Sequence, residues 1–318
     1  MSFSGMVKKE LSGHEDSARH CCIAEAAAML SGSGDLERDE EGRMFLVFHS
    51  ENETVTRKCF TILKKTFNIE EAILVRDVYR QKRGRVYLLR ISPEHLAEIC
   101  QAARQIPDEE ERMLSVTDIA LITRRQCCKR AFIRGAFLAS GSISDPNKGY
   151  HFEIVCTEED RAEQLQKIIC SFEIDARIVK RRNSYVVYVK EGAQIVDLLA
   201  VMGAGIALMD LENIRILKEM RNTVNRKVNC ETANINKTVN AAVKQAEDIR
   251  LIERTVGFES LNEGLAEMAA LRLQFPEATL KELGMMLSPQ VGKSGVNHRL
   301  RKLSEIAQEL RENEEELL

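Results

Sequence analysis

Side chains able to recognise nucleic acid are concentrated in one short stretch near the C-terminus. Lys293, Ser294, Asn297, His298, Arg299, Arg301 and Lys302 fall within ten residues, with Thr279 and Lys281 a little before them. In a major groove Asn pairs bidentately with adenine and Arg with guanine, while Ser, Thr and Lys reach phosphate oxygens. That chemistry needs the groups on one side of one element. Val296, Leu300, Leu303, Ala307 and Leu310 follow one another at spacings of 4, 3, 4 and 3. At ~100° per residue they form the apolar stripe of a helix, which leaves Ser294, Asn297, His298, Arg301 and Lys302 on the opposite side. Ser294 is placed to cap that helix. Upstream, Thr279 and Glu282 have the spacing of a capping box, with Leu280, Leu283 and Leu287 at helical intervals. Two short helices joined by SPQVGK read as a helix-turn-helix whose second helix enters the groove. The turn exceeds the usual three or four residues, so on pattern alone a three-helix interaction bundle stands as the alternative.

Other chemistries fit less well. Gly292-Lys293-Ser294 imitates the end of a phosphate-binding loop, but Leu287 stands where the first glycine is required. Gly32-Ser33-Gly34 and Gly203-Ala204-Gly205 lack the third glycine of a dinucleotide site. Cys21-Cys22 and Cys127-Cys128 are adjacent, unlike the CxxC spacing of structural zinc. Neighbours on a helix point in different directions, so buried packing is expected of them, with no metal and no cofactor. His14, His20, His49, His95, His151 and His298 form no HExxH.

The cysteine pairs open two related segments, CCIAEAAAMLSGSGDL from Cys21 and CCKRAFIRGAFLASGSIS from Cys127. Each is followed by strand-like runs, a helical run and two further strands: RMFLVFHS, TVTRKCFTILKKTFNI, EAILVRDVYR and RVYLLRI in the first case. The second has YHFEIVC, EEDRAEQLQKIICSFEI, DARIVKR and SYVVYVK. The β-branched and aromatic runs bounded by Gly, Asn and charged turns predict strands. Each half closes on a helix, PEHLAEICQAAR or EGAQIVDLLAVMG, so the predicted order is αββαββα, twice. Small residues line both leading helices, Ala26 to Ala28 in one and Gly135, Ala136 and Ala139 in the other. Such residues suit a close helix pair on a pseudo-twofold axis of one duplicated domain.

These segments resemble degenerate LAGLIDADG motifs of homing endonucleases, whose paired helices lie above a saddle-shaped DNA-binding sheet. From MSFS through RNTVNRKVNCETANINKTVNAA to KSGVNHRLRKLSEIA, the whole chain resembles the WhiA family, bacterial regulators that join such a domain to a C-terminal helix-turn-helix. The resemblance implies an α+β fold. Its parts are a pseudo-twofold LAGLIDADG-like domain at 1–205, a helical linker at 206–230 and an all-α helix-turn-helix domain at 231–318. In the nucleases an acid before the motif's last glycine holds the divalent metal that activates water. Here those positions are Ser33 and Ser140, and a neutral hydroxyl cannot replace a carboxylate there. Asp35 lies one residue beyond the first glycine, with Ser142 as its non-acidic counterpart. The expectation is therefore a non-enzyme, with a LAGLIDADG-type metal-dependent endonuclease as the alternative.

Charge alone favours a solvated helical face over a nucleic-acid coat, but its distribution is one that a chain binding double-stranded DNA can have. Residues 215–303 carry fifteen Lys/Arg against ten Asp/Glu, and the last fifteen residues carry six Glu against one Arg. A formal net charge of −3 thus conceals a basic block followed by an acidic tail. Eleven Phe, five Tyr and no Trp offer few platforms for stacking unpaired bases, which favours duplex DNA over RNA. Secondary phosphate contacts are expected from Arg80, Lys82, Arg83 and Arg85 at one hairpin and from Lys180, Arg181 and Arg182 at its counterpart. Arg124, Arg125, Lys129, Arg130 and Arg134, on or before the second motif helix, are further cations of this kind. Equally, such groups simply keep exposed hairpins soluble. The longest uncharged apolar run, LLAVMGAGIALM, is too short for the ~18 residues of a membrane span. Nine cysteines without an export signal suit a reducing cytoplasm. By resemblance, the chain is expected to be a nucleoid-associated regulator of transcription, cell division and chromosome segregation, with other transcription regulators as further partners.

Overall fold

The computed structural model describes residues 1–69, 72–77, 86–108, 113–116 and 118–316. They form two compact units, Met1–Glu219 and Met220–Leu318. The first half of unit one runs α2 (Arg19–Ser33), β1 (Gly34–Arg38), β2 (Met44–Ser50), α3 (Glu53–Phe67), β3 (Ala72–Asp77), β4 (Val86–Ile91) and α4 (Pro93–Ala102). The second half repeats it: α6 (Gln126–Ser140), β7 (Gly141–Ile143), β8 (Phe152–Cys156), α7 (Glu159–Cys170), β9 (Arg177–Arg181), β10 (Ser184–Val189) and α8 (Gly192–Met202). This is the duplicated αββαββα order.

The two antiparallel sheets share a topology, β3-β4-β2-β1 in one and β9-β10-β8-β7 in the other. Their registers correspond as well. Gly34 faces Phe48 and Leu36 faces Leu46, while Gly141 faces Ile154 and Ile143 faces Phe152. Alternation explains why one face of each sheet is apolar: Leu46, Phe48, Leu89 and Ile91 are buried in the first, and Phe152, Ile154, Val187 and Val189 in the second. Helix α3 starts where the Asn52 side chain accepts the Thr54 amide at 3.0 Å, and it buries Val55, Cys59, Ile62 and Leu63 at helical spacing.

Helices α2 and α6 pack directly against one another at the centre, and glycine permits it. A Cβ on Gly135 would lie 2.4 Å from the Glu25 carbonyl oxygen, and one on Gly32 would lie 2.9 Å from Ala139 Cβ. Elements outside the repeat complete the unit. Helix α1 (Phe3–Ser12), capped by Ser2, buries Phe3, Val7 and Leu11. Strands β5 (Gln105–Asp108) and β6 (Met113–Val116) form a hairpin that pairs with β1, and a single-turn helix α5 (Ile119–Ile122) follows.

The helical linker expected at 206–230 continues unbroken past the boundary expected at 231 as one helix, α9 (Gly205–Thr255). Its first turns bury Ala207 and Leu211 in the core of unit one. In unit two its last turns bury Ile249 and Ile252 against α10 (Glu263–Gln274), α11 (Leu280–Met286) and α12 (Lys293–Glu316).

Candidate nucleic-acid interface

Helix α12 divides its side chains as the apolar spacing predicts. Val296, Leu300, Leu303 and Ala307 are buried, and Leu310 is partly buried against the same core. Lys293, Ser294, Asn297, His298, Arg301 and Lys302 are exposed. A correction concerns the cap: α12 begins at Lys293, so Ser294 lies inside the first turn instead of preceding it. Arg301 Nε donates to Glu305 Oε1 at 3.1 Å on the exposed face. Arg299 is half-buried and turned inward, its Nη1 donating to the Gly264 carbonyl at 3.2 Å, which holds α12 against α10.

The capping box forms as its spacing predicts. Thr279 Oγ1 accepts the Glu282 amide at 3.3 Å, while Glu282 Oε2 accepts the Thr279 amide at 2.7 Å. That backbone bond holds the Glu282 carboxyl below the usual carboxylate range. Thr279 is thus occupied as a cap, and Lys281 beside it is exposed. The connection between α11 and α12 folds back on α11, with the Val291 amide donating to the Gly284 carbonyl at 2.9 Å. Bonds to two buried groups, Asp248 and Arg272, fix the remaining sides. Arg311 Nη2 bonds Asp248 Oδ1 at 2.6 Å, and the buried Arg272 donates to Gln245 at 3.0 Å and to the Ala278 carbonyl at 2.7 Å.

This turn has no room for a side chain at its contact point. A Cβ on Gly284 would meet the Val291 carbonyl oxygen at 2.1 Å. Gly284→Ala is therefore expected to force α11 and the turn apart, at a cost of at least about 1–3 kcal/mol. All five tyrosines precede residue 219 and the chain has no Trp, so tyrosine emission reports unit one alone. The variant should lose helical circular dichroism at a lower temperature while its tyrosine transition stays in place. Coincident, unshifted transitions would show that the turn is not packed this way.

In unit one the motif serines come together at the ends of α2 and α6. Ser33 Oγ donates to the Ala139 carbonyl at 3.4 Å and Ser140 Oγ to the Ala136 carbonyl at 3.5 Å, both lining one cleft with Lys8, His49 and Glu51. Two nearby carboxylates are already paired, Asp35 with His49 at 2.8 Å and Glu153 with His151 and Arg181, each at 3.0 Å. Burial pushes the Glu153 carboxyl up, but bonds from His151 and Ser142 and the charge of Arg181 outweigh it and hold it low.

Of the hairpin cations, Arg80, Lys82, Arg83 and Arg85 lie outside the described residues. Arg181 and Arg182 are exposed, Arg182 making the tight β9–β10 turn at a φ of 50°. Arg124, Arg125 and Arg130 are exposed and Lys129 is half-buried. Arg134 departs from that group: it is 2% exposed, and its Nη2 bonds Glu25 Oε2 at 2.8 Å and also Asp16. Burial opposes its charge, but bonds to Glu25 and Asp16 raise its affinity for the proton.

The expectation that the cysteine pairs point apart also needs correction. Cys22 does turn away, towards the Asp16 carbonyl at 3.5 Å. Cys21, however, meets Cys127, Cys128 and His20 where the two helices begin, with all four ligand atoms within 4.8 Å of one another. Spacing along one helix could not reveal a set drawn from two. The hint was the cysteine pair repeated at the same place in both motifs.

Three successive segments match family descriptions: residues 19–104 the WhiA N-terminal LAGLIDADG-like domain, 129–221 the WhiA LAGLIDADG-like domain, and 224–307 the WhiA C-terminal HTH domain. A probable cell division protein WhiA of Lachnoclostridium phytofermentans is 53% identical over 98% of this chain and 100% of its own length. Another protein of that name, from Lachnospira eligens, is 48% identical over 98% of both. The crystal structure of full-length DUF199/WhiA from Thermatoga maritima aligns with a TM-score of 0.59 at 26% identity, covering 97% of this chain and 99% of that one. With its duplicated LAGLIDADG-like halves and its helix-turn-helix, the chain belongs to the WhiA family.

Proposed function

We propose that the chain is a sequence-specific transcriptional regulator that binds double-stranded DNA through α12 and acts in cell division and chromosome segregation. One observation carries this reading: Asn297, His298, Arg301 and Lys302 are exposed together on a helix whose opposite side is anchored in a packed core. An anchored helix presents base-reading and phosphate-binding groups at little entropic cost, which a recognition helix requires. The names of the relatives support the cell-division role. In this reading residues 231–318 read DNA, 206–230 act as the linker, and 1–205 touch DNA or receive another transcription regulator. The site of action is the nucleoid in the cytoplasm.

The same reading makes the LAGLIDADG-like unit non-catalytic. Hydroxyls at positions 33 and 140 cannot supply the charge that a hard divalent cation needs. Supercoiled plasmid and labelled genomic duplex incubated with the full chain and Mg²⁺ or Mn²⁺ should be retarded in a gel and remain uncut. Cleavage that copurifies with the protein and disappears in a Ser33→Ala, Ser140→Ala variant would overturn the non-catalytic reading. Absence of any retardation would overturn the DNA-binding one.

A further inference from the structure

The N-terminal ends of α2 and α6 carry a second constellation that DNA binding does not use. His20 Nδ1 lies 3.2 Å from Cys128 Sγ and 3.3 Å from Cys21 Sγ, and Cys127 Sγ completes a group spanning at most 4.8 Å. We propose that these four atoms form a site for one zinc-class divalent cation that staples α2 to α6.

The donor set selects the ion. Three thiolates and an imidazole are soft or borderline ligands, suited to zinc and unsuited to Mg²⁺ or Ca²⁺. Four protein ligands also close the coordination sphere, the mark of a structural site and not a catalytic one. With sulfur at ~2.3 Å and nitrogen at ~2.0 Å from the metal, the edges of a zinc tetrahedron measure roughly 3.5–3.8 Å. The two distances to His20 fall just short of that range, so a cation needs only small outward shifts to enter. Cys21 and Cys128 are buried and Cys127 is exposed, so the cluster has a route in from solvent. Amide dipoles at the starts of α2 and α6 favour thiolates there.

Without a cation the set is poorly satisfied. Burial pushes the Cys21 and Cys128 thiols up and the neighbouring Cys127 pushes both further, while a bond with Cys21 only partly offsets the rise at Cys128. Three adjacent sulfurs cannot all ionise beside one another unless a positive charge sits between them. Loading therefore releases up to three thiol protons to solvent. Arg125 responds as well. Its Nη1 faces His20 Nε2 at 3.0 Å, and a guanidinium can only donate, so Nε2 accepts and the ring proton resides on Nδ1. A ligating Nδ1 moves that proton to Nε2, and the exposed Arg125 must swing away. Its charge then offsets the single negative charge of a cation held by three thiolates.

Full-length protein, purified under reducing conditions without chelator, should contain one zinc per chain by elemental analysis. Replaced by cobalt, it should show tetrahedral visible bands and thiolate-to-cobalt charge transfer. Cys127→Ser and His20→Ala should lower the zinc content from one towards zero, while Cys170→Ser, at an exposed thiol outside the cluster, should keep it at one. A chelator should lower the tyrosine-detected melting temperature of the wild type and leave that of Cys127→Ser unchanged. The proposal fails if wild-type protein takes up neither zinc nor cobalt at stoichiometric loading. It fails equally if the Cys127 and His20 variants bind like wild type, or if the metal-free chain holds a Cys21–Cys127 disulfide instead. The cobalt spectrum of the wild type decides the matter even where a variant does not fold.

Discussion

Replacing Arg134 by Met is expected to destabilise the N-terminal unit by about 3–5 kcal/mol, the usual cost of leaving one member of a buried ion pair alone. Glu25 is 1% exposed and would lose the guanidinium bond to its Oε2 at 2.8 Å. The Met202 carbonyl would lose its donor at 3.2 Å, freeing α8 from α6. Lys58, buried beside them, stays 3.8 Å from Glu25 Oε1, too far to replace a hydrogen bond. In a unit of this size the loss corresponds to a fall of about 6–20 °C in the tyrosine-detected transition. The doubly apolar Glu25→Leu, Arg134→Met variant should regain part of that loss, because the isolated carboxylate has gone. Arg124→Met, at an exposed position on the same approach, should change stability by less than about 0.5 kcal/mol. If Arg134→Met unfolds where the wild type does, the charges between α2 and α6 are solvated and the packing described for Glu25 is wrong.

That network also marks the limit of what the sequence discloses. The duplicated halves are legible because matching residues recur about 106 or 107 positions apart and the strands alternate around them. The helix-turn-helix is legible because Thr279 and Glu282, and then Val296 to Ala307, are set by local spacing alone. Glu25 could have been read as a charge stranded among alanines. Its partners Lys58 and Arg134, and the Asp16 that shares Arg134 with it, come from another helix, the opposite half and a loop, beyond the reach of any local pattern. Arg134 therefore read as one more surface cation. The β5–β6 hairpin escaped for a different reason: its strands are four residues each, and β5 contains Pro107, which breaks the usual strand signal. In α9 the Asn/Thr-rich stretch NCETANINKT, at the boundary expected near 231, is made of weak helix formers. No Gly or Pro occurs from 206 to 256, so nothing in the backbone stops the helix there.

On α12, Arg301→Ala should weaken binding to the specific duplex by about 1–3 kcal/mol, or roughly 5- to 150-fold, and relax preference at one or two base pairs. Asn297 and Arg301 stand four residues apart on the exposed side, so both can enter one groove. The bond from Arg301 Nε to Glu305 does not prevent this, since an exposed ion pair is worth only ~0–1 kcal/mol and yields to a bidentate guanine. Lys302 is the contrast. A flexible ammonium reads charge and not base edges, so Lys302→Ala should weaken all duplexes alike and lower the salt slope by about one. Neither change should disturb the fold, because both side chains lie outside the core that buries Val296, Leu300 and Leu303. Circular dichroism checks that point, and binding isotherms on matched and scrambled duplexes at several salt concentrations separate the two effects. Were folded Arg301→Ala and Lys302→Ala proteins to bind both duplexes as tightly as wild type, α12 would not be the reading helix. The affinity would then have to come from the LAGLIDADG-like unit.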